Sequence, residues 1–407
     1  MNEGLLSDIK VLELANVLAG PSVGAMFAEL GATVIKLENP QTKGDVTRSW
    51  KLSTEEADTD ISAYFSCVNW GKKSLALDLS QVEGLNILYQ IIPHFDIVLV
   101  SYKPGDAEKL GVDYVRLQQL NPKIIYGHIT GYGLHNPRSG YDAIIQAEAG
   151  FTFINGEKGG KPTKMPVAFM DILAAHQLKE AILIALLQRY KTGKGTYIDV
   201  SLLKSGIVSL ANQAANWLVA THIPQAMGSD HPTIVPYGTV FETADNKPIV
   251  LAVGTDAQFR SLCEILKNST LSHDERYATN FSRVQNRESL QMILRELIGK
   301  VNREELLMEL HKRKVPAAGV LNMQEVFEQE EAQSLLLEGK TTHGNQLKGL
   351  RTVAFNMKDN TFATILKAPP HFGEHTAEVL QQLLGFSNNI IKSLNDSNVI
   401  YDNNYKQ

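Results

Sequence analysis

The chain begins with short, mostly apolar runs set between amphipathic stretches. Residues 9–14 and 33–37 read as strands. Between them Val23, Met26, Phe27 and Leu30 fall at i, i+3, i+4 and i+7, one face of a helix over 21–30. Pro21 suits the first turn of that helix, and Gly31 ends it. Further strands are predicted at 75–79, 96–100 and 123–129, with a helix ending before Pro93 and another over 113–120. Ser80 and Glu83 have capping-box spacing at the start of the former. Apolar runs without polar alternation, separated by helices, predict a parallel sheet covered on both faces: an α/β, Rossmann-like layer.

Residues 151–168, rich in Gly and Lys, read as a loop. A long helix is predicted over 171–190, closed by the Gly193-Lys194-Gly195 turn, then a strand at 197–200. The helix expected over 203–218 is built of small residues with few charges, which implies burial or packing against a partner. Gly228, Pro232 and Pro236 mark 224–237 as connecting chain. Strands at 239–242 and 249–253, a helix, and charged helices within 287–312 form a smaller α/β unit, followed by an extended connector at 315–320. The division expected is a large domain at 1–203, a linker at 204–228, a small domain at 229–317, a linker at 318–347, and a return to the large domain at 348–407.

Composition narrows the function. A net charge of −5 and a pI near 6.1 over 407 residues give no basic excess, so a nucleic-acid partner is not expected. Two cysteines, Cys67 and Cys263, cannot build a disulfide framework or a structural zinc site and read as reduced, buried thiols. No apolar run reaches the ~20 residues of a membrane span. Met1-Asn2-Glu3-Gly4 lacks a basic leader pattern, so the reading is cytoplasmic, with no membrane partner.

Several familiar chemistries fail on the residues. Glu38 ends the second strand where a ribose-binding acid would sit, but the first turn is Ala15-Asn16-Val17-Leu18-Ala19-Gly20-Pro21. It has no G-x-G-x-x-G, and Pro21 removes an N–H that a pyrophosphate would use, so NAD or FAD is not expected. Thr192-Gly193-Lys194-Gly195-Thr196 lacks the upstream glycine and following helix of a P-loop and reads as a helix end and turn. His371 and His375 lie among prolines and Gly373 and read as loop residues. No G-x-S-x-G elbow is present. Asp171 remains, between a loop and an apolar helix, where an N-cap aspartate is the plain reading. A positive helix end would also keep a nucleophilic carboxylate ionised.

A series of short motifs runs in order along the chain. It comprises Val17 to Pro21, Leu30 to Glu38, Gly44 to Arg48, Lys72 to Leu75 with Leu77-Asp78, Tyr102 to Gly105, and Ile129 to Gly133. Gly140-Tyr141-Asp142, Val167 to Ile172, Tyr190 to Gly195, Ile234 to Tyr237, Thr279 to Arg287, Val315 to Ala317 and Gly373 to Thr376 complete it. This ordered set resembles the family III CoA-transferases, and within them the dicarboxylate enzymes that pair succinyl-CoA with glutarate. The resemblance implies a two-domain, ring-shaped subunit interlocked with a second copy as a homodimer. It implies acyl-CoA and small carboxylic acids as substrates, with no tightly bound cofactor.

By matching position, Asp171 is the nucleophile, forming an aspartyl anhydride and then an aspartyl-CoA thioester near the partner's small domain. Leu18, Ala19, Asn39, Leu77, Asp78, Tyr102, Lys103, Lys109, Tyr141 and Asp142 would line the CoA site. Lys103 and Lys109 suit phosphates, and Tyr102 suits the adenine or ribose. Asn39 departs from members that carry arginine there, and the missing glycine-rich acceptor loop of the oxalate enzymes speaks against oxalate. For a second substrate carboxylate, His231, Tyr237 and the backbone at Gly254-Thr255 are candidates. The alternative is a 2-methylacyl-CoA racemase, whose histidine would stand where this chain has Tyr141.

Overall fold

The computed structural model describes residues 4–358 and 366–402. Met1 to Glu3 of the N-terminal reading, and parts of the segment expected to return to the large domain, lie outside them. The chain forms two compact units. One comprises Met1–Ala149, Met165–Ala211 and Ser334–Gln407, and the other comprises Gly150–Lys164 and Asn212–Gln333.

The first unit is built on a seven-stranded sheet. Its strands are β1 (Lys10–Leu14), β2 (Thr33–Glu38), β3 (Lys73–Leu77), β4 (Ile97–Val100), β5 (Ile125–Thr130), β6 (Thr196–Ser201) and a late edge strand (Ile400–Tyr401). In space the edge strand comes first, then β3, β2, β1, β4, β5 and β6; all neighbours are parallel except the edge strand, which runs antiparallel to β3. The register sets Leu12 beside Ile35 on one side and Val98 on the other. Every residue of β4 and β5 is buried, as a sheet covered on both faces requires. One face packs Leu12, Val98, Leu75 and Tyr126 against Leu88, Ile91 and Leu117 of helices Val82–Ile91 and Tyr114–Leu120. Burial of each such aliphatic side chain contributes roughly 1.5–3 kcal/mol.

Two local expectations are corrected here. The helix after β3 is capped by Gln81, not Ser80, whose hydroxyl instead donates to Asp78 Oδ1 at 2.6 Å. The strand itself starts two residues earlier than the apolar run, because Lys73 and Ser74 already pair with Ile35 and Lys36 of β2.

The helix Phe169–Thr192 ends at Gly193, whose φ of 70° supplies the left-handed cap. The single helix expected over 203–218 is two, Leu202–Val208 and Ala211–Ala220, broken where Ala211 takes φ 44°. The second has no buried residue, and Trp217, Leu218 and Val219 are exposed.

The second unit has a three-stranded antiparallel sheet, β7 (Tyr237–Glu242), β8 (Pro248–Ala252) and β9 (Ala317–Gly319). The expected connector at 315–320 therefore holds a strand, paired through Ala317, Ala318 and Gly319 with β8. Phe241, Ile249 and Leu251 pack against Phe259, Leu262, Leu290, Leu294 and Leu310. The predicted loop at 151–168 contains one helical turn, Phe151–Ile154. Arg283 is fully buried in this unit and donates to the carbonyls of Val235 (2.8 Å) and Tyr277 (3.0 Å) and to Asp256 (2.8 Å). With Asn280 on Thr233 and Val235, and Arg287 on His231 and Pro232, it pins the segment 231–237.

Candidate active site

In an open parallel sheet, ligands bind beyond the carboxyl ends of the strands, where the winding direction reverses. Here that point lies between β1 and β4. A cavity of about 240 Å³ opens there. Its walls come from the turn after β1 (Asn16 to Ala19), the loop after β4 (Ser101 to Pro104), the end of β5 (Ile129 to Gly131), residues 138–142, Asp171 and Leu202.

Two glycines bring these walls together. A Cβ on Gly131 would stand 2.5 Å from the Cα of Gly140, so only glycines allow the two backbones to touch. That contact carries Tyr141 and Asp142 to the cavity. Asp142 then fixes the start of the long helix: Oδ1 accepts from the Met170 N–H at 2.9 Å, and Oδ2 accepts from Gln146 Nε2 at 2.8 Å. Gln146 in turn bonds the backbone of Met165 and Val167.

Asp171 is the third residue of the helix Phe169–Thr192, not its N-cap. Ala168 occupies the cap and offers no side-chain bond. The expectation that the helix end keeps this carboxylate readily ionised is corrected too. Burial, and secondarily the charge of Asp142, push its pKa up to about 7. The phenol of Tyr64 is pushed up to about 12 by burial and by the charge of Asp171.

Of the residues expected at a CoA site, Leu18, Ala19, Tyr102, Lys103, Tyr141 and Asp142 line this cavity with Asp171. Asn39, Leu77, Asp78 and Lys109 do not. Asn39 caps a turn through Gln41, Leu77 is a core residue, and Lys109 pairs with Asp106 at 3.0 Å. Asp78 is engaged by Ser80, Gln81 and Gln41. His231 accepts the Thr233 N–H through Nδ1 and lies against Tyr237 in the second unit.

Sequence reading missed Asn16, Ser101 and Arg138. Ser101 follows β4 directly and Asn16 stands two residues past β1, so the strand-end rule alone points to them. The Tyr102 loop is held from behind by His128, whose Nε2 donates to the Tyr102 carbonyl at 2.7 Å while Nδ1 accepts from Tyr197. Arg138 is set over the Tyr132 ring and paired with Glu148.

A larger hollow of about 640 Å³ is lined by Asp60, His343 and His371 among others. Its Asp60 is held at about 2, with burial outweighed by hydrogen bonds from His371 and the Phe372 N–H. His375 caps the helix Thr376–Leu384 and accepts the Ser74 N–H.

Residues 6–376 match the model of CoA-transferase family III. The succinate–glutarate CoA-transferase of Agrobacterium fabrum is 38% identical over 386 residues, which cover 93% of this chain and 95% of that one. The human succinyl-CoA:glutarate CoA-transferase is 33% identical, with 97% and 90% covered. Among solved structures, a CaiB/BaiF family protein from Brucella suis is similar with a TM-score of 0.83 and 36% identity, covering 94% of this chain and all of that one. The chain belongs to CoA-transferase family III. It is a CoA-transferase that acts on acyl-CoA and carboxylic acids.

Proposed function

We propose that the enzyme moves CoA from succinyl-CoA to a short dicarboxylic acid such as glutarate, with Asp171 as nucleophile. The observation that carries this reading is a half-buried carboxylate at the switch-point cavity whose pKa is pushed up to about 7. Poor solvation makes such a carboxylate more basic and a better nucleophile once ionised. The names of the relatives above support the pair of acids.

In this mechanism an Asp171 oxygen attacks the thioester carbonyl, and CoA leaves as the thiolate. The enzyme then holds a mixed anhydride. The thiolate attacks the aspartyl carbonyl, giving an aspartyl-CoA thioester and releasing the donor acid. An acceptor carboxylate attacks that thioester, and the returning thiolate takes the new acyl group from the second anhydride. Each step trades one activated acyl bond for another, so the energy of the thioester is retained. Lys103, at the cavity wall, supports a contact with a CoA phosphate. We also propose that the enzyme works as an interlocked homodimer, which the exposed apolar residues of the helix Ala211–Ala220 support. A racemase is not favoured: the relatives named are transferases, and no histidine lines the cavity.

The test is direct. Asp171→Ala should abolish transfer while CoA still binds, and hydroxylamine added during turnover should label Asp171 as a hydroxamate. Transfer at the wild-type rate in the Ala variant removes the nucleophile. Incubation with succinyl-CoA and a panel of acids, read by mass, names the acceptor. Propionate or butyrate exceeding glutarate in kcat/KM would reject the dicarboxylate reading alone.

A further inference from the structure

The turn after β1 adopts a costly backbone. Val17 has φ 69°, in the left-handed region that a β-branched residue avoids for steric reasons. Such a conformation persists only where its surroundings hold it. Three side chains do so. Lys36 Nζ donates to the Ala15 carbonyl at 2.7 Å, the Asn16 N–H donates to Ser101 Oγ at 3.0 Å, and the Val17 N–H donates to Asp45 Oδ2 at 3.1 Å.

Asp45 is anchored in its turn. Oδ2 pairs with Lys36 at 2.9 Å, and Oδ1 accepts from the Thr47 N–H and hydroxyl at 3.0 and 2.8 Å. Lys36 also meets Glu13 at 3.2 Å, and Glu13 binds Lys72 at 2.7 Å. All four side chains are fully buried. Space for them is specific: a Cβ on Gly24 would stand 2.0 Å from Glu13 Oε2. Buried ion pairs add little stability over apolar packing, so this arrangement calls for another use.

We propose that Asp45 is a positioning residue which, through the Val17 N–H, holds the turn 16–19 in the shape that faces the acyl group beside Asp171. The inference rests on Asp171 being the nucleophile. Leu18 and Ala19 wall the same cavity as Asp171, so any relaxation of Val17 toward negative φ re-aims the backbone there. An ionised acceptor holds an amide more firmly than a neutral one.

The test compares Asp45→Ala, Val17→Gly and the double variant for kcat, KM and melting temperature. Asp45→Ala should lower kcat roughly 10- to 100-fold, the range such backbone strain spans. Adding Val17→Gly should restore about tenfold or more, because glycine takes positive φ without a Cβ penalty. A merely structural Asp45 would not be rescued by glycine at position 17. A folded double variant as slow as Asp45→Ala overturns the proposal, as does wild-type kcat in Asp45→Ala. If Asp45→Ala does not fold, Ser101→Ala takes its place, unpinning Asn16 with the buried ions intact. A loss recovered by Val17→Gly then supports the proposal, and no loss, or an unrecovered one, overturns it. Hydroxylamine labelling reads Asp171 alone, so failure there is distinct from failure of the rescue.

Discussion

Asp142 grips the backbone one residue before the carboxylate that it perturbs. Its Oδ1 accepts from the Met170 N–H at 2.9 Å, and its charge helps raise the pKa of Asp171 to about 7. One side chain thus both places Asp171 and tunes it. Asp142→Asn should therefore keep part of the positioning while lowering the Asp171 pKa.

The pH profile follows from that value. The nucleophile must be ionised, so kcat/KM should climb about tenfold per unit below pH 7 and level off above it. In Asp142→Asn the bend should move to lower pH. A wild-type profile flat from pH 5.5 to 8, measured with succinyl-CoA at limiting concentration, would contradict the geometry.

Stability should show the same titration with the opposite benefit. The folded pKa of about 7 lies above the ordinary carboxylate value of 3.8. The folded state therefore binds the proton more tightly, and stability falls as pH rises between those values. Asp171→Asn should escape this loss. At pH 8 it should be more stable than wild type by roughly 1–3 kcal/mol, with the gap closing toward pH 4. Urea titrations at the two pH values measure it.

Two lysines equivalent by sequence should separate. Both are exposed, but Lys103 lines the cavity, whereas Lys109 lies outside it and is paired with Asp106. Lys103→Ala should raise KM for acyl-CoA roughly tenfold, the scale of one charge-assisted contact. Lys109→Ala should leave it within about twofold. Equal effects from both would place the phosphates elsewhere.

Oligomeric state is the fourth expectation. Leu218 and Val219 are 78% and 85% exposed, an unusual position for adjacent aliphatic side chains. Sedimentation at submicromolar concentration should give only a dimer. Leu218→Asp with Val219→Asp should leave folded monomer or aggregate in its place. An active wild-type monomer would count against interlocking.

The parallel sheet was legible because β4 is an unbroken apolar run and β1, β2 and β5 are mostly apolar, as two-sided burial demands; the buried Glu13 and Lys36 that interrupt two of them could not be read as paired from sequence. What periodicity cannot show is a break like that at Ala211, where an ordinary residue takes a left-handed backbone. It also cannot show a three-residue strand such as β9, which exists only because β8 supplies its partner. At the site, Asp171 stood out by its place between a loop and an apolar helix. Its raised pKa did not, because that depends on burial and on Asp142, far from it in sequence. Arg138 and Ser101 carry no local pattern; the strand order, which places β4 beside β1, brings Ser101 to the cavity of Asp171, and the Gly131–Gly140 contact after β5 brings Arg138.

The edge strand Ile400–Tyr401 covers the free side of β3 by pairing with Leu77 and Ala76. On the ribosome, β3 emerges long before its cover. Until the late strand arrives, its row of backbone groups stays open to other nascent chains, as an unprotected edge does. The cavity beside Asp171 is lined by residues within 16–202, all of which precede that strand in the chain. A chain halted before Ile400 would therefore carry every residue of the cavity and an uncovered sheet edge at once.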